Sequence, residues 1–252
     1  WCPGCQTVLA NEQVLADGTC ERSGDLVESR EMEQWFYRIT EYAQQLLDDM
    51  DTVEWPEKVK LMQQNWIGRS EGAEFGLPIA DINGKRRENV PPLDVYTTRP
   101  DTGFGMTFAV MSPEHPRVDE LVTKENQSSV EAFRQEVANR SEMDRLSSEG
   151  NIEKRGVSTG SFVINPFTGL PVPLFLADYV LMTYGTGAIM AVPGEDQRDW
   201  DFAIAHGCEI TRTVKPPKDF EGEAYTGDGE SINSDFLNGM KIKEAKQTAI
   251  EW

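Results

Sequence analysis

The sequence predicts a mixed α/β fold: a curled sheet or β-barrel-like core flanked by helices, with a small cysteine knuckle and a helical linker attached. Three observations predict it. Short apolar runs of strand length recur, each bounded by Pro or Gly. Stretches with helical spacing fall between them without the regular strand–helix alternation of a wound parallel sheet. Three of the four cysteines lie within the first twenty positions, apart from everything else. With 252 residues the chain exceeds one average domain, since roughly 100–200 residues make one. The division read from these patterns is a knuckle over 1–30, a helical linker over 31–70 and a main domain over 71–252.

The knuckle holds Trp1-Cys2-Pro3-Gly4-Cys5 and then Cys20, which approaches zinc-ribbon spacing. Structural zinc wants four Cys or His ligands, and the expected fourth position carries Ser23. The reading is a metal-free knuckle, with Cys2, Cys5 and Cys20 an incomplete zinc set. In the linker, Trp35, Ile39, Tyr42, Leu46 and Leu47 form one stripe of a helix over 31–50, and a second helix runs from Glu57 to Trp66 before Gly68. In the main domain, strands are expected over Asp94–Thr98, Phe104–Met111, Ser161–Ile164, Val172–Leu176 and Ala188–Val192. Residues 118–150 read as helical, with Val118, Leu121, Val122, Val130, Phe133, Val137 and Leu146 turned to the core. A helix from about Asp196 to His206 ends at Gly207, and Lys215–Glu230 reads as an exposed loop.

Composition narrows the function. Lys and Arg number 24 against 43 Asp and Glu, a net charge of −19, which argues against a self-sufficient nucleic-acid binder. No run approaches the ~20 apolar residues of a membrane helix, so no membrane partner is expected. The cysteine usage suits a reducing, cytoplasmic compartment rather than a disulfide framework. A start at Trp1 and an end inside a predicted helix read as a piece of a longer protein.

No nucleophilic triad is available from His115 and His206, and His206 suits the dipole at a helix C-terminus. Gly185-Thr186-Gly187 lacks the residues of a phosphate-binding loop and reads as a tight turn feeding a strand. Two segments stand out. One is Tyr96-Thr97-Thr98-Arg99-Pro100-Asp101-Thr102, dense in hydroxyls at a strand end. The other runs from Tyr184 through a small-residue strand to Glu195-Asp196-Gln197-Arg198-Asp199. Asp196 and Asp199 share a helix face near its start; Asp196 suits the N-cap, and Asp199 a contact with a ligand cation such as ammonium. Gly187, Ala188 and Ala191 are small enough for close approach to the backbone.

These segments, in order with WCPGCQTVLANEQV at 1–14, QWFYRITEYAQQLL at 34–47, NWIGRSEGAE at 65–74, VYTTRPDT at 95–102, YGTGAIMAVP at 184–193, DQRD at 196–199 and NSDFLNGM at 233–240, cover nearly the whole chain. They resemble the inserted editing domain (the connective polypeptide) of bacterial-type leucyl-tRNA synthetase, with its adjoining knuckle and linker. The resemblance implies the fold typical of class I synthetase editing domains and hydrolysis, by water, of the ester in leucine tRNA mischarged with isoleucine or norvaline. It implies no cofactor for editing, while ATP serves leucine activation elsewhere in the parent enzyme. Its partners would be the mischarged tRNA acceptor end and the rest of the synthetase, in a monomer. One methyl group separates substrates by only about 1–3 kcal/mol in an apolar pocket, which is why a second, destructive sieve makes sense.

By resemblance, Asp199 grips the α-ammonium, Thr102 is the steric gate that refuses leucine, and Thr97 and Thr98 hold the water and the ester. Arg99 supports that loop. Tyr184, Met190 and Val192 shape the side-chain and terminal-adenosine pocket, Gly187 offers backbone donors, and Asp196 lies beside the substrate. Glu195 stands where the family pattern has His, which is expected to shift local pKa values and weaken contact with the RNA backbone. Two other readings share these residues: an editing domain of a valyl or isoleucyl synthetase, and a non-catalytic module presenting the tRNA end.

Overall fold

The computed structural model describes residues 1–15, 17–30, 32–138 and 155–252. It forms two compact units, one of Trp1–Ser29 with Gly72–Trp252 and one of Arg30–Glu71. Leu146 lies outside the described residues.

The smaller unit contains a 3-10 turn at Ile39–Tyr42, helix α1 at Ala43–Asp48, a second 3-10 turn at Asp49–Thr52 and helix α2 at Glu57–Ile67. The predicted helix over 31–50 therefore begins only at Ile39. Trp35, Ile39, Tyr42 and Leu46 of its stripe are exposed. A six-residue helix is too short to hold itself together without tertiary packing, and this stripe has little to pack on within its unit. Gly68 closes α2 in the left-handed conformation, as expected of a helix stop.

Among the described residues, the larger unit is built on seven strands: β1 Ala73–Leu77, β2 Ile79–Ala80, β3 Leu93–Thr97, β4 Phe108–Met111, β5 Gly156–Ile164, β6 Pro171–Ala177 and β7 Ala188–Ala191. Five form one sheet in the order β2-β5-β6-β4-β7, with only β4 and β6 parallel. β1 and β3 pair as a separate antiparallel ribbon. β3 lies beside β7 at one edge of the sheet, and β1 runs through Pro78 into β2 at the other edge. The sheet thus curls until the ribbon spans its two ends, giving the curled half-barrel expected.

Strand alternation decides what each face buries. In β4 all four residues are buried: Ala109 and Met111 face the interior cluster with Leu77, Leu93, Val95, Leu174 and Leu176, while Phe108 and Val110 face outward. Ala188 and Met190 of β7 follow the interior side, and Ile189 and Ala191 the outer one. Helices α3 (Val118–Leu121) and α4 (Gln127–Ala138) close the interior with Val118, Leu121, Val130, Phe133 and Val137, and Val122 packs against them half-buried. The outer face is covered by α5 (Gln197–His206), whose Phe202 stacks on Phe108 at 5.3 Å between ring centres.

A third small cluster joins Leu237, Ala245 and Ala249 to Phe104 and Phe167. Through it helix α6 (Ile242–Glu251) packs on the 3-10 turn Pro100–Gly105. The expected strand from Phe104 begins only at Phe108, because that turn occupies its first residues. No described helix is long and apolar enough to cross a membrane.

Candidate functional site

The sheet register brings the two unusual segments together. β4 and β7 are antiparallel with Phe108 opposite Ala191, so the turn entering β4 and the segment leaving β7 emerge at the same end. The Thr107 amide donates to the Ala191 carbonyl at 3.3 Å and fastens that end. β3 delivers Thr97 and Thr98 to the same region, since the chain passes from β3 through the turn to β4.

The first cluster is the Arg99–Gly105 turn. The Arg99 amide donates to Thr97 Oγ1 at 2.9 Å, and Thr102 Oγ1 donates to the Arg99 carbonyl at 2.8 Å. Arg99 grips the buried Asp101 carboxylate through Nε at 3.0 and 3.1 Å and Nη2 at 2.7 Å. Asn165 Nδ2 pins the turn from below, donating to the Gly103 and Met106 carbonyls at 2.9 and 3.1 Å. Thr102 is fully buried and its rotamer is fixed by its hydrogen bond. The half-buried Thr98 hydroxyl has no partner among the described residues.

The second cluster is the entry to α5. Asp196 is the N-cap expected, accepting from the Arg198 amide at 2.8 Å and the Asp199 amide at 3.3 Å. Burial alone would raise its pKa, but the Arg198 hydrogen bond and charge, with the helix amides, hold it below the usual range. Asp199 is buried, with Oδ1 accepting from Tyr179 Oη at 2.9 Å and Oδ2 from the Val192 amide at 2.8 Å. Burial, reinforced by the Asp196 charge, pushes its carboxyl up to about 7 against those two hydrogen bonds. Each oxygen keeps an acceptor position for one further donor.

The clusters meet through Glu195 and Gly105. Glu195 is 5% exposed and faces inward, its Oε1 accepting from the Thr213 amide at 2.6 Å and the Val214 amide at 3.0 Å. Its Oε2 is buried without a hydrogen-bond partner among the described residues. A Cβ on Gly105 would lie 3.5 Å from that oxygen and 2.9 Å from the Thr211 carbonyl, so only glycine lets the turn come this close. Burial raises the Glu195 pKa, opposed by the Thr213 and Val214 amides. The carboxylate thus faces inward and fastens protein to protein.

The remaining predicted residues divide. Tyr184 is half exposed and stands edge-on to Tyr96, ring centres 5.7 Å apart. Met190 and Val192 turn their side chains into the interior core, so Val192 meets the site through its amide. Gly187 has φ +73°, and the space a Cβ would take is filled by Met182 Sδ; its need for glycine comes from the turn and this packing. Sequence reasoning missed Tyr179 and Asn165, whose contacts depend on strand register and have no local pattern. His115 is buried, its pKa lowered by burial and by Arg117.

In the knuckle, the sulfurs of Cys2, Cys5 and Cys20 lie within 4.8 Å of one another, and Ser23 Oγ is 3.0 Å from Cys2 Sγ. The Ser23 and Arg22 amides lower the Cys20 thiol to about 6. Three sulfurs with a hydroxyl beside one of them fall one thiolate short of a closed structural zinc site.

With this geometry in place, comparisons agree on one family. A family profile described as leucyl-tRNA synthetase, editing domain, matches residues 64–252. The chain is 48% identical over its full length to a leucine–tRNA ligase of Saccharopolyspora erythraea and 47% identical to one of Elusimicrobium minutum, spanning 28% and 29% of those proteins. Among solved structures, it resembles LeuRS in a LeuRS-tRNA-LeuAMS ternary complex from Agrobacterium radiobacter K84, with TM-score 0.62, 37% identity, and coverage of 90% of this chain and 26% of that one. The chain therefore spans less than a third of the length of these relatives, and it belongs to the leucyl-tRNA synthetase editing-domain family.

Proposed function

We propose that the chain hydrolyses the aminoacyl ester of mischarged leucine tRNA, releasing isoleucine or norvaline and the free tRNA terminus while sparing leucyl-tRNA. The observation that carries this reading is Asp199, a buried carboxylate titrating near neutrality and set at the same sheet end as a threonine-bearing turn. An ionised Asp199 pairs with the α-ammonium and so fixes the ester against the turn. The unengaged Thr98 hydroxyl and Thr97 orient the attacking water. Water adds to the ester carbonyl, the tetrahedral oxyanion forms, and the tRNA ribose oxygen leaves with a proton. An aminoacyl ester is activated enough for this without a covalent enzyme intermediate, so orientation and oxyanion stabilisation carry the rate.

Thr102, locked by its bond to the Arg99 carbonyl, is the rigid wall that leucine strikes. Tyr184 on Tyr96 offers an exposed aromatic edge to the terminal adenosine. In this reading 71–252 is the editing domain, 31–70 the linker and 1–30 the knuckle. The exposed Trp35, Phe36 and Tyr37 then belong to a surface that the rest of a monomeric, cytoplasmic synthetase covers. That body supplies ATP-dependent leucine attachment and, since this chain carries a net charge of −19, most of the tRNA phosphate contacts.

Deacylation of isoleucyl- and leucyl-tRNA by the chain tests the reading. Thr102→Ala should open hydrolysis of leucyl-tRNA by at least about tenfold, the value of one methyl group at 1–3 kcal/mol. A variant that still spares leucyl-tRNA refutes the gate.

A further inference from the structure

We propose that the hollow between residues 226–228 and the start of α6 seats a backbone phosphate of the RNA end. This rests on the editing reading for the identity of the RNA, and on the hollow itself for its chemistry.

The hollow has a volume of about 470 Å³ and is lined by Arg99, Lys243 and Lys246 with a single carboxylate, Asp228. Three cations converge on one cavity in a chain whose net charge is −19. Several cations elsewhere in the same unit are paired: Arg117 with Glu120, Arg134 with Asp119, and Arg198 with Asp196. Lys243 and Lys246 are not: among the described residues neither makes an ion pair or a side-chain hydrogen bond. They are three apart on α6 and so project from one face of the helix. Arg99 is fixed by Asp101 through Nε and Nη2, which leaves Nη1 uncommitted.

The combination suits a phosphodiester. Two mobile ammonium groups and one rigid guanidinium can surround non-bridging oxygens, and phosphate is the anion for which such donors are strongest. A metal cation is disfavoured, because one carboxylate faces three positive groups. Arg99 is also the first residue of the turn bearing Thr102. A phosphate held in the hollow therefore registers the RNA end against the turn, and the seat acts by positioning.

The test is Lys243→Ala/Lys246→Ala in the chain, both side chains being at or near the surface. Binding of a non-aminoacylated leucine-tRNA acceptor minihelix is followed by anisotropy from 20 to 150 mM KCl, with inorganic phosphate titrated separately. The expected results are about tenfold weaker RNA binding, a log–log salt slope shallower by about 0.7 for one neutralised single-strand phosphate, and a raised deacylation KM with kcat within twofold. Unchanged RNA affinity and slope overturn the proposal, including when inorganic phosphate alone is found to lean on the two lysines. A wild-type chain that binds RNA through these lysines but fails to deacylate overturns the editing reading and leaves the phosphate seat standing.

Discussion

Asp199→Asn separates the charge of the proposed ammonium ligand from its shape, and the structure sets the size of the effect. The carboxyl titrates at about 7 in the folded chain against 3.8 for an ordinary aspartate. Between those values the folded state holds a proton that the unfolded state has released, so stability falls as pH rises from about 4 to about 7 and is level above. A gap of about three pH units is about 4 kcal/mol at 1.36 kcal/mol per unit, fully expressed at pH 8. At pH 5.5 only about 2 kcal/mol of it is expressed. Asn escapes this penalty but cannot accept from both Tyr179 and Val192, a loss of about 1–3 kcal/mol that does not depend on pH. The bond loss cancels between conditions. Relative to wild type, the Asn variant should gain about 2 kcal/mol on going from pH 5.5 to pH 8. Urea unfolding at both pH values measures it, and an equal difference at the two values refutes a raised Asp199 carboxyl. The same variant should lose deacylation altogether, while wild-type kcat/KM should climb as Asp199 ionises through pH about 7.

Ser23→Cys completes four thiols around the Cys2–Cys5–Cys20 cluster; zinc should then bind one to one and at least about 100-fold more tightly, or about 2.7 kcal/mol, by competition with a chromophoric chelator. Phe202→Ala empties the centre of the outer cluster, and thermal or urea unfolding should show a loss of about 3–5 kcal/mol. Gly105→Ala forces a Cβ to 2.9 Å from the Thr211 carbonyl. It should lower stability by about 1–3 kcal/mol and depress deacylation, whereas full activity would show that the turn is not held by this contact.

Legibility followed the range of the interaction. Asp196 as N-cap, Gly68 and Gly207 as helix stops, and the 118–137 core stripe are local signals, and each is found where spacing places it. The strand over 93–97 was readable because Leu93 and Val95 alternate with Asp94. β1 and β2 were not read at all. Gly76 and Pro78 interrupt their pattern, and their stability comes from partners over fifteen residues away along the chain. The linker failed in the opposite way: the 31–50 stripe is helical in spacing, but periodicity names a face without naming what covers it. In the site, residue types were legible and environments were not. Asp199 stands out as a spare carboxylate, yet its pKa near 7 comes from burial and the neighbouring Asp196 charge, acting against the hydrogen bonds from Val192 and Tyr179. Glu195 stands out only as a departure from the family pattern, and it is an inward clamp on Thr213 and Val214.

The charge distribution then acquires a physical logic. An acidic surface keeps nucleic acid from binding indiscriminately, and favourable contact is confined to places where cations remain unpaired. Arg99 belongs to both the turn and the hollow, fixed by Asp101 within the one and lining the other beside Lys243 and Lys246. Under the proposed ammonium contact, the Asp199 carboxylate, costly to ionise alone in its buried setting, is relieved when the cation arrives. Ligand binding should therefore lower the Asp199 pKa and release a proton at pH 6, where ionisation must accompany binding, but not at pH 8, where the carboxyl is already ionised. Calorimetry of a non-hydrolysable aminoacyl-adenosine analogue in two buffers of different ionisation enthalpy reads this directly: proton release near pH 6 that vanishes by pH 8 is the expected result, and release independent of pH would remove Asp199 from the ammonium contact.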